Sequence, residues 1–158
     1  MLKAFIDDSG SGGDSTWVVL AGYIASAETW DAFQGQWLDV LREAPYIETF
    51  HSSEAESLRP DGLWSGISKE ERDWKIDRLI DVIHKCQLQP VSVRMRQSNY
   101  DAVMKGNAPK IWDNPYYVLF NLLVNQLSVL VPDRFPDSGR LQIVFDNHEK
   151  YRKTAKIL

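Results

Sequence analysis

The sequence has little cysteine and no apolar run long enough for a membrane span. Cys86 is the only cysteine among 158 residues, so no intramolecular disulfide can form, and no Cys/His set has the spacing of a zinc site. The longest apolar run, residues 116–131, is interrupted by polar side chains, and residues 1–8 acquire charge too early for a signal peptide. We therefore expect a cytoplasmic protein with no membrane partner.

Basic residues are also scarce relative to acids. The sequence has 18 Lys and Arg against 22 Asp and Glu, which gives a formal net charge of -4. A protein that binds nucleic acid without sequence preference needs a broad basic surface, and this balance argues against one. It remains compatible with a metal-dependent nuclease, because the active site of such an enzyme is itself acidic.

The remaining composition is that of an ordinary globular domain. Apolar residues make up 44% and charged residues 25%, which excludes a disordered chain, and the length predicts one domain over residues 1–158. Six tryptophans are a high count, and we expect most of them in the core because large aromatic side chains dominate burial.

Hydrophobic periodicity predicts an α/β fold that opens with a β-hairpin. A helix should end at Pro132, and Ser68 with Glu71 has the pattern of a capping box. A hairpin followed by alternating helices and strands predicts a mixed sheet flanked by helices. The predicted strands are residues 2–8, 16–25, 91–96 and 141–146, and the predicted helices are 26–42, 68–84, 98–105, 114–131 and 148–158.

Two of the predicted strands end in carboxylates. Asp7 and Asp8 close the first strand, and Asp146 closes the last. Two such strand ends placed side by side would bring two carboxylates within reach of one metal ion. The alternatives are that Asp7 and Asp8 cap the Gly-rich turn and that Asp146 caps the helix after it, and each alternative is slightly favoured when its residue is considered alone.

A third group of candidates follows the apolar residues near position 50. Glu54 or Glu56 could supply a further carboxylate, and His51 could hold a phosphate or transfer a proton. A solvated helix start, where Glu is favourable near the positive end of the helix, explains the same segment equally well.

Two arginines and a glycine-rich segment are weaker candidates. Arg94 and Arg96 share one face of a predicted strand, where they could meet phosphate, although such a pair usually forms a solvated face. Residues 10–13 lack the Gly-Lys-Ser/Thr sequence of a phosphate-binding loop and do not open a helix.

Residues 5–10, Phe-Ile-Asp-Asp-Ser-Gly, followed by Leu-Ala-Gly-Tyr-Ile at residues 20–24, resemble the opening of the bacterial domain-of-unknown-function 3800 family. That opening usually reads Tyr-Ile-Asp-Glu-Ser-Gly, so Asp8 stands where the family has Glu. Residues 50–54 are similar to the second polar motif of the family, and residues 143–146 to its later strand followed by an acid.

The resemblance implies a ribonuclease H-like fold, which opens with an Asp near the end of its first strand, as Asp7 stands here. It implies that the first and last strands are adjacent and parallel, and that Asp7 rather than Asp8 is the functional acid. The activity implied is that of a metal-dependent nuclease or phosphodiesterase that acts on nucleic acid with up to two Mg²⁺ or Mn²⁺ ions. The residues implied are Asp7, Glu54 and Asp146 as catalytic metal ligands, and His51 and Lys150 as phosphate contacts.

The sequence departs from the family at its C-terminal end. The family commonly continues to a helix with a Gln-x-x-Asp motif, and this sequence stops at Leu158 without it. We therefore expect a poor nuclease even where Mg²⁺ or Mn²⁺ binds, because the second ion would lack an acid. Two alternatives stay open: a catalytically inactive ribonuclease H-like binding or interaction domain, and an unrelated small-molecule α/β domain that shares the opening motif.

Overall fold

The computed structural model of the chain describes residues 1–10, 15–57 and 62–145, and the chain divides into two compact units. Unit 1 consists of Met1–Ser26 and the chain from Gln89 onward, and unit 2 is Ala27–Leu88. None of the helices in these described ranges is long and apolar enough to cross a membrane. The elements are β1 (Leu2–Ser9), β2 (Trp17–Ser26), α1 (Ala27–Arg42), α2 (Ser52–Ser57), α3 (Lys69–Lys85), β3 (Gln89–Arg96), α4 (Gln97–Val103), a 3₁₀ helix (Lys110–Trp112), α5 (Pro115–Arg134) and β4 (Leu141–Phe145).

Unit 1 is built on a four-stranded mixed sheet with the strand order β3-β2-β1-β4. β2 pairs antiparallel with both β1 and β3, while β4 pairs parallel with β1. The α/β class, the opening hairpin and the adjacent, parallel arrangement of the first and last strands are therefore confirmed. A parallel neighbour requires a crossover, and α5 supplies it between β3 and β4.

The sheet packs one face against α5. Side chains alternate along a strand, so every second residue of β1 and β2 points to this packed face, and residues at helical spacing on α5 meet them. We call the other side the Asp7 face. The buried residues of the core are Leu2, Ala4, Ile6, Val18, Leu20, Ile24, Val91, Tyr116, Leu119, Leu123 and Leu127.

Helix α5 continues past Pro132 to Arg134, so the predicted end of this helix was wrong. Pro132 cannot donate a backbone hydrogen bond and crowds the preceding turn, and the helix ends two residues after it. The amide of Phe135 then donates to the carbonyl of Val131 at 2.8 Å and closes the helix end. At the other end, the side chain of Asn114 caps the helix by accepting a hydrogen bond from the amide of Tyr116 at 2.9 Å.

Unit 2 surrounds an aromatic core with three helices. The rings of Trp37, Phe50 and Trp64 meet edge to face in succession, with centroids 6.0 and 6.2 Å apart. The capping box is confirmed, because the Ser68 hydroxyl accepts from the Glu71 amide at 3.2 Å and the Glu71 carboxylate accepts from the Ser68 amide at 2.9 Å. The other buried residues of this core are Val40, Leu41, Ile47, Ala55, Leu79 and Val82.

A fully buried lysine closes the C-terminal end of α1. The Nζ of Lys75 donates to the carbonyls of Val40 and Glu43 at 2.6 and 2.7 Å, so its buried ammonium group has backbone acceptors at the end of α1. Burial lowers the pKa of Lys75, and the charge of Glu43 opposes that shift. Lys75 falls at helical spacing with Leu79 and Val82, and this pattern was the sequence signal for its burial.

The prediction that most tryptophans lie in the core was wrong. Trp64 is fully buried, whereas Trp17 and Trp74 are 39% and 45% exposed. The two exposed rings carry cationic partners, Arg94 and Arg96 over Trp17 and Arg78 over Trp74. A cation over the ring face stabilises a half-exposed tryptophan, so such a ring does not have to be buried.

Candidate functional site

Asp7 and Asp8 lie on opposite faces of β1. The strand runs on to Ser9, so the alternation of side chains is not interrupted between the two acids. Asp8 is half-buried on the packed face, and Asp7 is exposed on the other side. The alternation of burial along β1 therefore puts Asp7 on the face of Lys3 and Phe5, and Asp8 on the opposite face.

The position of the Asp7 carboxylate is fixed by the backbone beside it. Its Oδ1 accepts a hydrogen bond from the amide of Asp8 at 2.8 Å. Asp7 also pairs with Ala21 of β2 in the sheet register, so only a methyl group stands beside the carboxylate on that strand. The result is a carboxylate whose orientation is favoured by a backbone amide and whose neighbour on β2 is an alanine.

A cavity of about 600 Å³ adjoins Asp7 within unit 1. Its described lining is apolar and aromatic apart from Asp7, and it opens widely to solvent. Phe5 and Tyr23 are register partners on β1 and β2, so their rings stand side by side on the Asp7 face. The lining residues are Phe5, Ile6, Asp7, Ala21, Gly22, Tyr23, Val144 and Phe145.

A glycine permits the close approach of two strands at this cavity. A Cβ added to Gly22 would lie 1.8 Å from the carbonyl oxygen of Phe5, a separation that no side chain allows. At the hairpin, Gly10 has a φ of +78°, and a Cβ there would lie 1.9 Å from the carbonyl oxygen of Trp17. Both glycines are therefore required by the backbone geometry that places Asp7.

The second predicted carboxylate follows β4. The register pairs Ile6 with Phe145, the last described residue of β4, and Asp146 is the next residue in the chain. Asp146 and Lys150 both lie outside the described residues, so their assignment to the site stays a prediction.

Glu54 and His51 belong to unit 2, whereas Asp7 belongs to unit 1. Glu54 lies in the first turn of α2, and its Oε2 accepts from the amide of Leu63 at 3.3 Å. The carbonyl of His51 accepts from the amides of Glu54 and Ala55, which starts the helix. A helix start is thus present at this segment, and the roles of Glu54 in metal binding and of His51 in phosphate binding stay predictions.

The metal-binding capacity of the described residues is limited. Over residues 1–10, 15–57 and 62–145, no group of three or more His, Cys, Asp or Glu side chains is placed to hold a metal ion. A single oriented carboxylate still suits Mg²⁺, which usually binds through one or two carboxylates and completes its shell with water and substrate phosphate. Asp7 fits that mode of binding.

Sequence reasoning missed the aromatic cavity. The sequence does contain a pattern that indicates it. Phe5 and Tyr23 are large apolar residues, and they lie on the Asp7 face, opposite the face that packs against α5. An apolar side chain on both faces of a strand indicates either a second covered face or a binding surface.

Comparisons of the chain with family models, with curated proteins and with solved structures find no match. The candidate site therefore has to be judged from its own residues.

Proposed function

We propose that the Asp7 face of unit 1 is the active site of a divalent-metal-dependent nuclease or phosphodiesterase of ribonuclease H-like type. The observation that carries the proposal is the parallel pairing of β1 with β4, whose register reaches Ile6 and Phe145. Asp7 and Asp146 are the next residues of these two neighbouring strands. Oxygen ligands from adjacent strand ends are what a hard divalent cation requires. The resemblance to the domain-of-unknown-function 3800 family implies the same pairing.

The two oxygens of Asp7 have separate tasks in this proposal. The amide of Asp8 holds Oδ1 at 2.8 Å and fixes the carboxylate plane, and Oδ2 would bind Mg²⁺ or Mn²⁺ together with Asp146. When bound, the cation supplies a Lewis acid for the phosphoryl oxygens and an activated water as the nucleophile. The aromatic cavity beside Asp7 would hold the apolar part of the substrate, such as a base or sugar, and orient its phosphate toward the carboxylates.

The remaining predicted residues contribute to the proposal through the resemblance alone. Glu54 would be a further metal ligand, and His51 and Lys150 would contact phosphate. Asp7 and Asp146 are sufficient to hold one ion with water in its other positions, so the proposal does not depend on these three residues.

A calorimetric titration with Mn²⁺ tests the proposal. We expect Asp7→Asn to weaken binding by at least about tenfold, the lower limit seen when groups that support a metal ligand are removed. Asp8→Asn is the matched control, because it removes the same charge from the next residue on the opposite face, and its affinity should stay close to that of the wild type. Equal losses in the two variants, or a wild-type protein that binds no Mn²⁺, would reject the proposal.

A non-catalytic binding domain is the second candidate function. It is favoured by Arg94 and Arg96, which place two positive charges on the same face as Asp7 without adding a metal ligand. Incubation of labelled single-stranded and double-stranded oligonucleotides with Mn²⁺ separates the candidates. Slow cleavage that Asp7→Asn abolishes supports the nuclease, and binding without any cleavage supports the binding domain.

A further inference from the structure

Two arginines of β3 stack over one tryptophan of β2. The Cζ atoms of Arg94 and Arg96 lie 5.1 and 5.2 Å from the centroid of the Trp17 ring. Trp17 is the register partner of Arg96, and its side chain is 39% exposed. Both guanidinium groups are therefore positioned by contact with a ring that belongs to strand β2.

The two guanidinium groups keep their charge available for a ligand. In the part of the chain that the structure describes, the ion pairs within 4.0 Å involve other basic residues, and no carboxylate pairs with Arg94 or Arg96. Stacking on an aromatic face leaves the N–H donors in the guanidinium plane, where they match phosphate oxygens. Two neighbouring cations that have no acidic partner within residues 1–10, 15–57 and 62–145 suit an anion with more than one negative group.

The arginine pair lies on the same sheet face as Asp7. Asp7 pairs with Ala21 of β2, and Ala21 pairs with Ser92 of β3, so one small side chain lies between Asp7 and β3. Arg94 follows Ser92 by two residues, and the usual strand spacing and rise place its Cα about 12 Å from that of Asp7. The line from Asp7 to Arg94 crosses β2 between Ala21 and Val19, which are the register partners of Asp7 and Arg94.

Aromatic side chains mark the other side of Asp7. Phe5 is 43% exposed and stands next to Tyr23, at the cavity that Asp7 adjoins. Unpaired bases stack on such rings whatever their sequence, whereas bases inside a duplex are not accessible to them. The net charge of -4 supplies no broad positive field, so binding of a nucleic acid here depends on the local charge of the arginine pair.

We infer that Arg94, Arg96 and Trp17 form a phosphate-binding site for single-stranded nucleic acid, with the arginines bound to the backbone and the bases directed toward Phe5 and Tyr23. This inference names the substrate class of the Asp7 face, and it rests on the proposed function only for the chemistry at Asp7. Binding itself requires no metal.

Fluorescence anisotropy with a short labelled single-stranded oligonucleotide in EDTA tests this site, because EDTA removes any contribution of a cation. The variant is Arg94→Gln with Arg96→Gln, and the matched control is Arg42→Gln with Arg134→Gln, which removes the same charge from two exposed arginines of helix ends. Each phosphate contact on a single strand contributes about 0.7 to the slope of log affinity against log salt, so the double variant should lower that slope by about 1.4. Affinity should fall by about tenfold or more at low salt, and the control should keep both values.

Comparison ligands distinguish a nucleic-acid strand from a free anion. We expect the duplex of the same sequence to bind more weakly than the single strand, and inorganic tripolyphosphate to compete only weakly. Equal losses in the two double variants, a duplex that binds as tightly as the strand, or complete competition by tripolyphosphate would overturn the inference. Failure here is separate from failure of the metal site, because the Mn²⁺ titration of the arginine variant should remain that of the wild type.

Discussion

The carboxylate of Asp7 accepts a hydrogen bond from the amide of Asp8 at 2.8 Å, yet the two side chains lie on opposite faces of β1. The two adjacent acids therefore lie in different environments. Asp7 is presented beside an aromatic cavity, and Asp8 is half-buried on the side that packs against α5. This separation makes Asp8 an internal control for every experiment on Asp7.

Asp7→Asn should leave the fold intact. Asp7 is exposed, and substitutions at exposed positions change the free energy of unfolding by about 0.5 kcal/mol or less. Asp8→Ala should cost about 1 kcal/mol, because its side chain is half-buried beside the core. Urea unfolding measures both values. A large loss of stability in Asp7→Asn would mean that its carboxylate is a structural group.

Gly22→Ala should be strongly destabilising. The added Cβ would lie 1.8 Å from the carbonyl oxygen of Phe5, so β1 and β2 would have to separate, and we expect a cost of about 3 kcal/mol or more. Gly35→Ala is the control, because Gly35 lies in α1 with open space around its Cα. That substitution should stabilise the protein by about 0.5–1 kcal/mol. Thermal unfolding of the two variants should therefore shift in opposite directions.

Ser68→Ala should weaken unit 2 in a pH-dependent manner. Loss of the cap should cost about 1 kcal/mol at neutral pH. Hydrogen bonds from the backbone and side chain of Ser68 lower the pKa of Glu71 from its usual 4.5. Their contribution to the free energy of unfolding is thus present above pH 4.5 and is lost as the pH falls through the lowered pKa. Ser68→Ala removes the hydroxyl bond to this carboxylate and keeps the backbone bond. The difference between wild type and Ser68→Ala should therefore shrink in acid by the contribution of the hydroxyl bond alone, whereas Glu70→Gln should show no such change.

Lys75→Met should destabilise unit 2 by about 2 kcal/mol, because the carbonyls of Val40 and Glu43 would lose a buried donor. Burial lowers the pKa of Lys75 from 10.5, so the unfolded chain binds its proton more tightly than the folded chain does. Wild-type stability should therefore rise with pH between the lowered pKa and 10.5, and this rise should be absent in Lys75→Met. Lys85→Met, an exposed position of the same helix, should change neither quantity.

Local patterns predicted much of unit 1. The alternation of apolar and polar residues in β3 and the apolar runs that end in acids predicted the strands, and a resemblance implied the pairing of the first with the last. The capping box was also predicted correctly from the sequence, because its geometry depends on two residues in one helical turn. The division of the chain into two units was not predicted, since it depends on contacts between residues that are distant in sequence.

The failures came from residues whose partners lie on other elements. Trp17 was predicted to lie in the core, but its ring lies at the surface beneath Arg94 and Arg96. These arginines are distant from Trp17 in the sequence, so the contact could not be predicted. Pro132 was predicted to end a helix, but the helix ends two residues after it. The cavity beside Asp7 required knowing which strands are neighbours, because its lining comes from three of them.

Paramagnetic broadening by Mn²⁺ tests the central claim most directly, since it locates the bound ion on the chain. Substoichiometric Mn²⁺ added to nitrogen-labelled protein should first broaden the amide signals of Asp7, Asp8 and Ala21, which surround the proposed ligand. Asp7→Asn should remove this local effect. Broadening centred on Glu54 and Glu56, or spread evenly over the acidic surface, would contradict the assignment of the metal site to the Asp7 face.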